Sequence, residues 1–318
     1  MKRRNFISKA TKSGIALSAL GLYSCDFKTK ENKEKMKESI IKESPLFFKI
    51  SLAQWSLHKA LFAKEMDNLD FASKSRELGC EGLEYVNAFF KDKAKDKSYL
   101  NEMKSRANAE GQANVLIMID GEGELADANS NERLKGIENH YKWVEAAHYL
   151  GCHAIRVNLG GGKDKAEAAK TSIDSLTRLS EFAKGSNINV LVENHGGFSS
   201  DGMWMTEVFS QVKSENCGTL PDFGNFCIQY GEDGCLKEYD RYKGMKELLP
   251  FAKAVSAKSY GFDADGNETT IDYYRVMKMV KESGYKGFVG IEFEGEISEE
   301  QGIIHTRDLL LNVGKQLV

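Results

Sequence analysis

Three carboxylates stand at the ends of apolar runs that read as β-strands. Glu193 follows Val190-Leu191-Val192, Asp222 follows Thr219-Leu220-Pro221, and Glu292 follows Val289-Gly290-Ile291. A lysine, Lys258, ends a fourth such run, Ala254-Val255-Ser256-Ala257. In a barrel of parallel strands all strand C-termini open on one face, where side chains distant in sequence converge. Carboxylates gathered in this way either bind a divalent cation or share protons, and packing requires neither.

The neighbours of each residue refine its chemistry. Glu193 and His195 lie two apart, so an extended strand end points both the same way. Carboxylate oxygen plus imidazole nitrogen suits Mn²⁺, Zn²⁺, Co²⁺ or Mg²⁺; otherwise His195 is a loop residue before the next helix. In Asp222-Phe223-Gly224-Asn225 both polar side chains sit at one turn. Asn225 can there reach a substrate hydroxyl or a metal-bound water, the plain alternative being an Asx-turn. Glu292 and Glu294 alternate with Ile291 and Phe293 and share a face, Glu292 inward at the site and Glu294 at the solvated rim. Lys258 is placed to hold a substrate oxygen or to stabilise an enolate-like charge. In the first half, Trp55 closes strand one and is either core or a stacking surface for a sugar ring. Glu84 in strand two, with Arg156 and Asn158 ending strand four, completes the candidate substrate-binding set.

The elements that must position these residues alternate along the chain. The first strand reads from Phe48 to Trp55, and a helix from about Asp67 to Leu78 stops at Gly79, a C-cap signal. Strands at Gly82–Val86, Asn114–Ile119 and His153–Asn158 follow, separated by helices near Ser98–Ala109 and Asn131–Leu150. A helix over Lys165–Ala183 precedes strand five, and strands six, seven and eight end near Asp222, Lys258 and Glu292. A final helix runs to Gln316. Eight strands alternating with eight helices predict a (β/α)8 TIM barrel within the α/β class. An open doubly wound sheet is disfavoured, because no G-x-G-x-x-G follows the first strand.

The N-terminus reads as an address. Arg3-Arg4 followed by Phe6-Ile7 and an apolar run from Gly14 to Leu22 resembles a twin-arginine signal, too short to span a bilayer. Leu22-Tyr23-Ser24-Cys25 resembles a bacterial lipobox, with Cys25 as the acylated residue. Residues 1–25 are therefore expected to be a lipoprotein signal, 26–45 a flexible Lys/Glu-rich linker with little to bury, and 46–318 the catalytic domain. The expected location is the periplasm or cell envelope, with membrane contact only through a lipid at Cys25. A net charge of -3 offers no footprint for nucleic acid. Of six cysteines, five remain after Cys25; an odd set without C-x-x-C pairs argues against a disulfide framework and a structural zinc site. Homo-oligomerisation stays open.

Taken together, Leu191-Val192-Glu193-Asn194-His195-Gly196-Gly197, Pro221-Asp222-Phe223-Gly224-Asn225 and Gly290-Ile291-Glu292-Phe293-Glu294 resemble the xylose isomerase-like TIM barrel superfamily of sugar (phosphate) isomerases and epimerases. The resemblance covers the chain from Ile50 to the last helix. It implies a divalent metal held by Glu193, Asp222 and Glu292, with Glu193 and Glu292 also the acid/base pair. The superfamily often carries Val-His-x-Lys on strand seven, whereas this chain has Val255-Ser256-Ala257-Lys258. The fourth ligand position then falls to His195 or to water, or the pocket works without a metal. The implied reaction moves a proton next to the carbonyl of a carbohydrate. Export favours a free sugar, keto-sugar or polyol derivative, since phosphorylated sugars are scarce outside the cytoplasm. The alternatives are a glycoside-cleaving hydrolase or lyase, separable by its products, and a sugar-binding lipoprotein of the same fold that needs no acid/base pair.

Overall fold

Period-2 alternation in short apolar segments, each followed by an amphipathic helix, requires the strands to pair in parallel with the helices outside. The computed structural model describes residues 46–318. The expected signal, the expected acylation at Cys25 and the expected linker up to residue 45 lie outside the described residues. The strands of the main sheet are β1 (Lys49–Ala53), β2 (Gly82–Val86), β3 (Ala113–Met118), β4 (Ala154–Val157), β5 (Asn189–Glu193) and β6 (Cys217–Leu220). After a hairpin formed by β7 (Cys227–Gly231) and β8 (Gly234–Glu238), the sheet resumes with β9 (Val255–Ser259) and β10 (Phe288–Phe293).

All eight main-sheet strands run parallel in the order β6-β5-β4-β3-β2-β1-β10-β9. The two edges meet through parallel bridges Thr219↔Ala252 and Asp222↔Ser256. Closing backbone bonds run from Lys253 N to Thr219 O (3.0 Å), from Ser256 N to Pro221 O (3.0 Å) and from Phe223 N to Ser256 O (3.1 Å). The result is the expected TIM barrel.

Helices follow the strands: α1 (His58–Phe62), α2 (Phe71–Glu77), α3 (Lys97–Ala109), α4 (Ser130–Leu150), α5 (Lys165–Lys184), α6 (Gly202–Gln211), α7 (Arg241–Leu248), α8 (Tyr273–Glu282) and α9 (Glu299–Gln316). The starts of α3 to α9 are fixed by side chains that accept orphan backbone N–H groups. Asn129 caps α4 through Asn131 N and Glu132 N, and Asp164 caps α5 through Ala166 N and Glu167 N.

Outward residues of the strands, such as Leu52, Val190, Val192, Val255, Ile291 and Phe293, pack in the main core with helical residues including Trp143, Leu176, Met277 and Leu310. Inward residues Ala53, Val86, Met118, Ala154, Leu191, Leu220 and Ala254 form a second, smaller cluster. Apolar groups thus fill much of the barrel, and most polar inward residues lie toward its C-terminal rim, with the buried Ser51 and Glu84 deeper.

Two expectations are corrected. The connection from β6 to the next barrel strand holds the β7–β8 hairpin as well as a helix, its turn built on Glu232-Asp233-Gly234. Cys227 and Cys235 form a disulfide across it. An odd number of cysteines excludes full pairing but not one pair; the hairpin pairs Cys227 with Glu238 and Cys235 with Tyr230, and still brings the two cysteine Cα atoms to 5.7 Å. Cys80 and Cys152 are buried and free, as expected, and Cys217 is free and half-buried.

One close approach fixes the seat of α9. A Cβ at Gly302 would come within 2.3 Å of the Phe293 ring, which is itself 1% exposed. Gly302→Ala gains about 1 kcal/mol of helix propensity. It also forces overpacking that costs about 1–3 kcal/mol. Denaturant unfolding is expected to show net destabilisation, and a net gain would mean that α9 is free to shift.

Candidate functional site

Strand parity delivers the polar residues to one place. β5 turns Leu191 and Glu193 inward, β9 turns Ser256 and Lys258 inward, and β10 turns Gly290 and Glu292 inward. One carboxylate oxygen from each of Glu193, Asp222 and Glu292 lies within 4.8 Å of the others, all three residues being buried. The expected core therefore converges.

Each carboxylate has its own partners. Glu193 Oε1 accepts from Asn225 Nδ2 at 3.0 Å, and Oε2 lies 2.9 Å from Arg156 Nε. That contact is out of line for a hydrogen bond, and neither atom has another hydrogen-bond partner. Asp222 Oδ1 accepts from the backbone N–H groups of Gly224 and Asn225, each at 2.8 Å. Its Oδ2 accepts from Ser256 Oγ at 2.6 Å, and the same hydroxyl lies 3.0 Å from Glu292 Oε2. Glu292 Oε1 pairs with Lys258 Nζ at 3.1 Å.

The two cations are shared outward. Lys258 Nζ also donates to Glu294 Oε2 at 2.9 Å, and Glu294 accepts from the Trp55 indole through its other oxygen. Arg156 donates to Asp120 Oδ1 at 2.7 Å, and Asn158 Nδ2 reaches the same oxygen at 2.9 Å. Glu294 is at the rim as expected, with a side chain 33% exposed, yet it ties Trp55 to Lys258. Trp55 stacks on His58 at 4.8 Å and meets Phe62 and Phe89 edgewise or tilted, so its ring belongs to an aromatic cluster at the mouth.

Glu84 lies deeper. It accepts from Ser51 Oγ, and its carboxylate occupies space left by Gly290, where a Cβ would come within 2.5 Å of both oxygens. It lines the barrel interior rather than the group of three. His195 is exposed on the loop after β5, outside that group, and its backbone N–H donates to Ser199 Oγ.

Burial and crowding set the titration. Burial, reinforced by the Glu292 charge and opposed by Arg156, raises Glu193 to about 7. Burial and the charges of Glu193 and Glu292, opposed by Lys258 and Ser256, raise Asp222 to about 7. Burial raises Glu84 to about 8 against the Ser51 bond. Burial works against the Lys258 ammonium, but Glu292, Asp222 and Glu294 outweigh it and hold it well above the usual lysine range.

Residues that sequence reasoning missed mostly orient others. Asp120, following β3, anchors Arg156 and Asn158; its signal was the same one used elsewhere, a carboxylate after an apolar run. Asn194 is fully buried and accepts from Asp222 N at 2.7 Å while donating to the carbonyls of Asp222 and Asn225 at 3.0 Å each. It binds the end of β5 to the turn after β6.

The donor set fits a divalent cation. Two buried cations, Arg156 and Lys258, face carboxyl groups from Glu84, Asp120, Glu193, Asp222, Glu292 and Glu294, an excess of acid. Glu193 Oε2 is buried and makes no hydrogen bond, its one charged neighbour being Arg156 Nε at 2.9 Å, so it keeps a lone pair that a cation could take.

Comparison with known proteins agrees with this geometry. The family model for the xylose isomerase-like TIM barrel matches residues 72–313. Among curated proteins nothing matches the chain. A solved D-tagatose 3-epimerase-like protein is 17% identical with a TM-score of 0.66, covering 85% of this chain and 98% of its own. The D-psicose 3-epimerase of Clostridium cellulolyticum H10, solved with D-tagatose, is 14% identical with a TM-score of 0.65, covering 84% and 99%. A xylose isomerase-like TIM barrel protein of Mycobacterium smegmatis, solved with magnesium, is 16% identical with a TM-score of 0.63, covering 85% and 98%. At these identities the likeness is one of fold.

The raised values carry a sign. Glu84, Glu193 and Asp222 bind their protons more tightly folded than unfolded, so their contribution to stability is complete below the ordinary carboxylate range. It is lost as pH rises through their folded values of about 7 to about 8. Chelator-treated protein is expected to melt at lower temperature at about pH 8 than at about pH 5. Added Mg²⁺ should restore more at the higher pH, where the ligands are ionised. A melting temperature that rises across this range would refute the burial account.

Proposed function

Because the chain belongs to the xylose isomerase-like TIM barrel family, we propose that it is a sugar isomerase or epimerase that moves a proton at the carbon next to a carbonyl. The observation that carries this reading is the pairing of two buried carboxylates with separate cations. Glu193 sits against Arg156 at 2.9 Å and Glu292 against Lys258 at 3.1 Å, on different barrel strands.

A divalent ion held by Glu193, Asp222 and Glu292 would polarise the carbonyl and acidify the neighbouring C–H. The protein groups perform the transfer. One of Glu193 and Glu292 is a carboxylate and takes the proton from carbon, while the other, protonated, delivers one to the opposite face. Glu193, raised to about 7, exchanges protons readily at neutral pH. Lys258 and Arg156 hold sugar oxygens and offset the negative charge that develops on them. Asn225 fixes Glu193, and the Trp55 cluster offers an apolar face to the ring. If a single carboxylate shuttles the proton between adjacent carbons, the outcome is isomerisation.

The substrate in this reading is a small unphosphorylated carbohydrate: a free sugar, keto-sugar or polyol derivative. Both cations facing the carboxylates are already paired, which suits hydroxyl groups better than phosphate. Export and anchoring at Cys25 belong to the same proposal, supported by the Cys227–Cys235 disulfide, a bond that persists in oxidising compartments.

Glu193→Gln and Glu292→Gln test the acid/base assignment. Each should lower turnover by about 10²–10⁴-fold, and each should also slow incorporation of solvent deuterium into ketose substrates, while sugar binding measured by calorimetry persists. Full turnover in Glu292→Gln would remove Glu292 from the acid/base pair, and no turnover in the unsubstituted protein with sugar binding intact would leave only a binding role for the site.

A further inference from the structure

We propose that Ser256 makes the carboxylate triad an all-oxygen cation site, so that its working ion is a hard, octahedral one, Mn²⁺ or Mg²⁺, rather than Zn²⁺. This rests on the metal-assisted reading above and narrows it.

The converging donor atoms are carboxylate oxygens of Glu193, Asp222 and Glu292, and among the described residues no imidazole or thiolate joins them. Ser256 Oγ lies between two of these ligands, 2.6 Å from Asp222 Oδ2 and 3.0 Å from Glu292 Oε2. A hydroxyl has one proton to donate, so one of the two oxygens always keeps a free lone pair. Ser256 is buried on both sides by this contact and by the bridge that pairs it with Asp222 across the barrel seam. The side chain that touches two of the three carboxylates is thus a neutral hydroxyl, a weak oxygen donor that brings no nitrogen or sulfur to the group. Glu193 Oε2 is buried beside Arg156 Nε at 2.9 Å but accepts no hydrogen bond, so it also has lone-pair capacity in hand.

Ligand chemistry follows from this set. Imidazole and thiolate favour Zn²⁺, whereas carboxylate and water suit Mg²⁺ and Mn²⁺. Mg²⁺ keeps several waters and is held by few carboxylates, which leaves positions for two oxygens of a sugar. Lys258 on Glu292 and Arg156 on Glu193 compensate two of the three carboxylates and lower their affinity for any divalent ion alike, so the choice between ions rests on donor type. Ser256 is then a specificity-determining residue: it sets which ion is accepted and how many positions stay open.

The test uses the purified protein, stripped by chelation and titrated with Mn²⁺ under electron paramagnetic resonance. One Mn²⁺ per chain is expected, with no echo modulation from a directly bound nitrogen. In Ser256→His the ratio of Zn²⁺ to Mn²⁺ affinity, from competition calorimetry, should rise about tenfold or more, and the nitrogen modulation should appear. A bound-nitrogen signal in the unsubstituted protein would overturn this inference alone, as would an unchanged ratio in a folded Ser256→His. Failure of the protein to bind Mn²⁺ at all would remove both the inference and the metal from the proposed function. If Ser256→His does not fold, the echo measurement on the unsubstituted protein decides.

Discussion

Burying carboxylates beside one another is the constraint from which the rest of the structure follows. Ionised groups taken out of water are tolerated only when paired and hydrogen-bonded. The protein answers with a continuous chain of contacts around the barrel mouth. It runs from Trp55 through Glu294, Lys258, Glu292, Ser256 and Asp222 to Asn225, Glu193, Arg156 and Asp120. Carboxylates alternate with cations and neutral donors, so no acid in the ring lacks a neighbour. Removing one member would expose two others. The apolar filling of Ala154, Leu191 and Leu220 beneath it, and the helices outside, hold the ring at fixed spacing.

How much of this could be read from the chain depends on the kind of signal. Strand-end carboxylates were legible because parity and an apolar run fix both position and direction, as at Glu193 and Glu292. The barrel was legible because each strand is followed by a periodic helix. The β7–β8 hairpin was not, because its residues, Cys227 to Glu238, alternate weakly and several are exposed. Pairings between residues were not legible either. That Ser256 touches both Asp222 and Glu292, or that Glu294 joins Trp55 to Lys258, depends on register between strands far apart in sequence. Asn194 was hidden for a related reason: its importance lies in backbone groups of a different strand.

Stability and chemistry pull in different directions here. Three raised carboxyl groups favour the protonated, compact state at low pH, while the proton transfer proposed above would need one of them ionised near neutral pH. Glu84 illustrates the division. Sitting below the triad against Ser51 and the bare backbone of Gly290, it is further from the mouth and is raised furthest. A neutral acid there can pack, whereas a charged one would repel Glu193 and Glu292.

The seam between β6 and β9 gives the barrel a mechanical character. Other neighbouring strands share ladders, the one between β2 and β3 shifting register at Leu83/Glu84, whereas this pair is joined by isolated bridges, and one of those bridges is Asp222 with Ser256. The barrel is a split ring whose gap is also its site. Small changes in the gap would alter the spacing between Asp222 and the carboxylates on β5 and β10 while leaving the seven other strand contacts in register. Any change in the size of the space between them would therefore be borne by the joint, and the hoop would stay rigid.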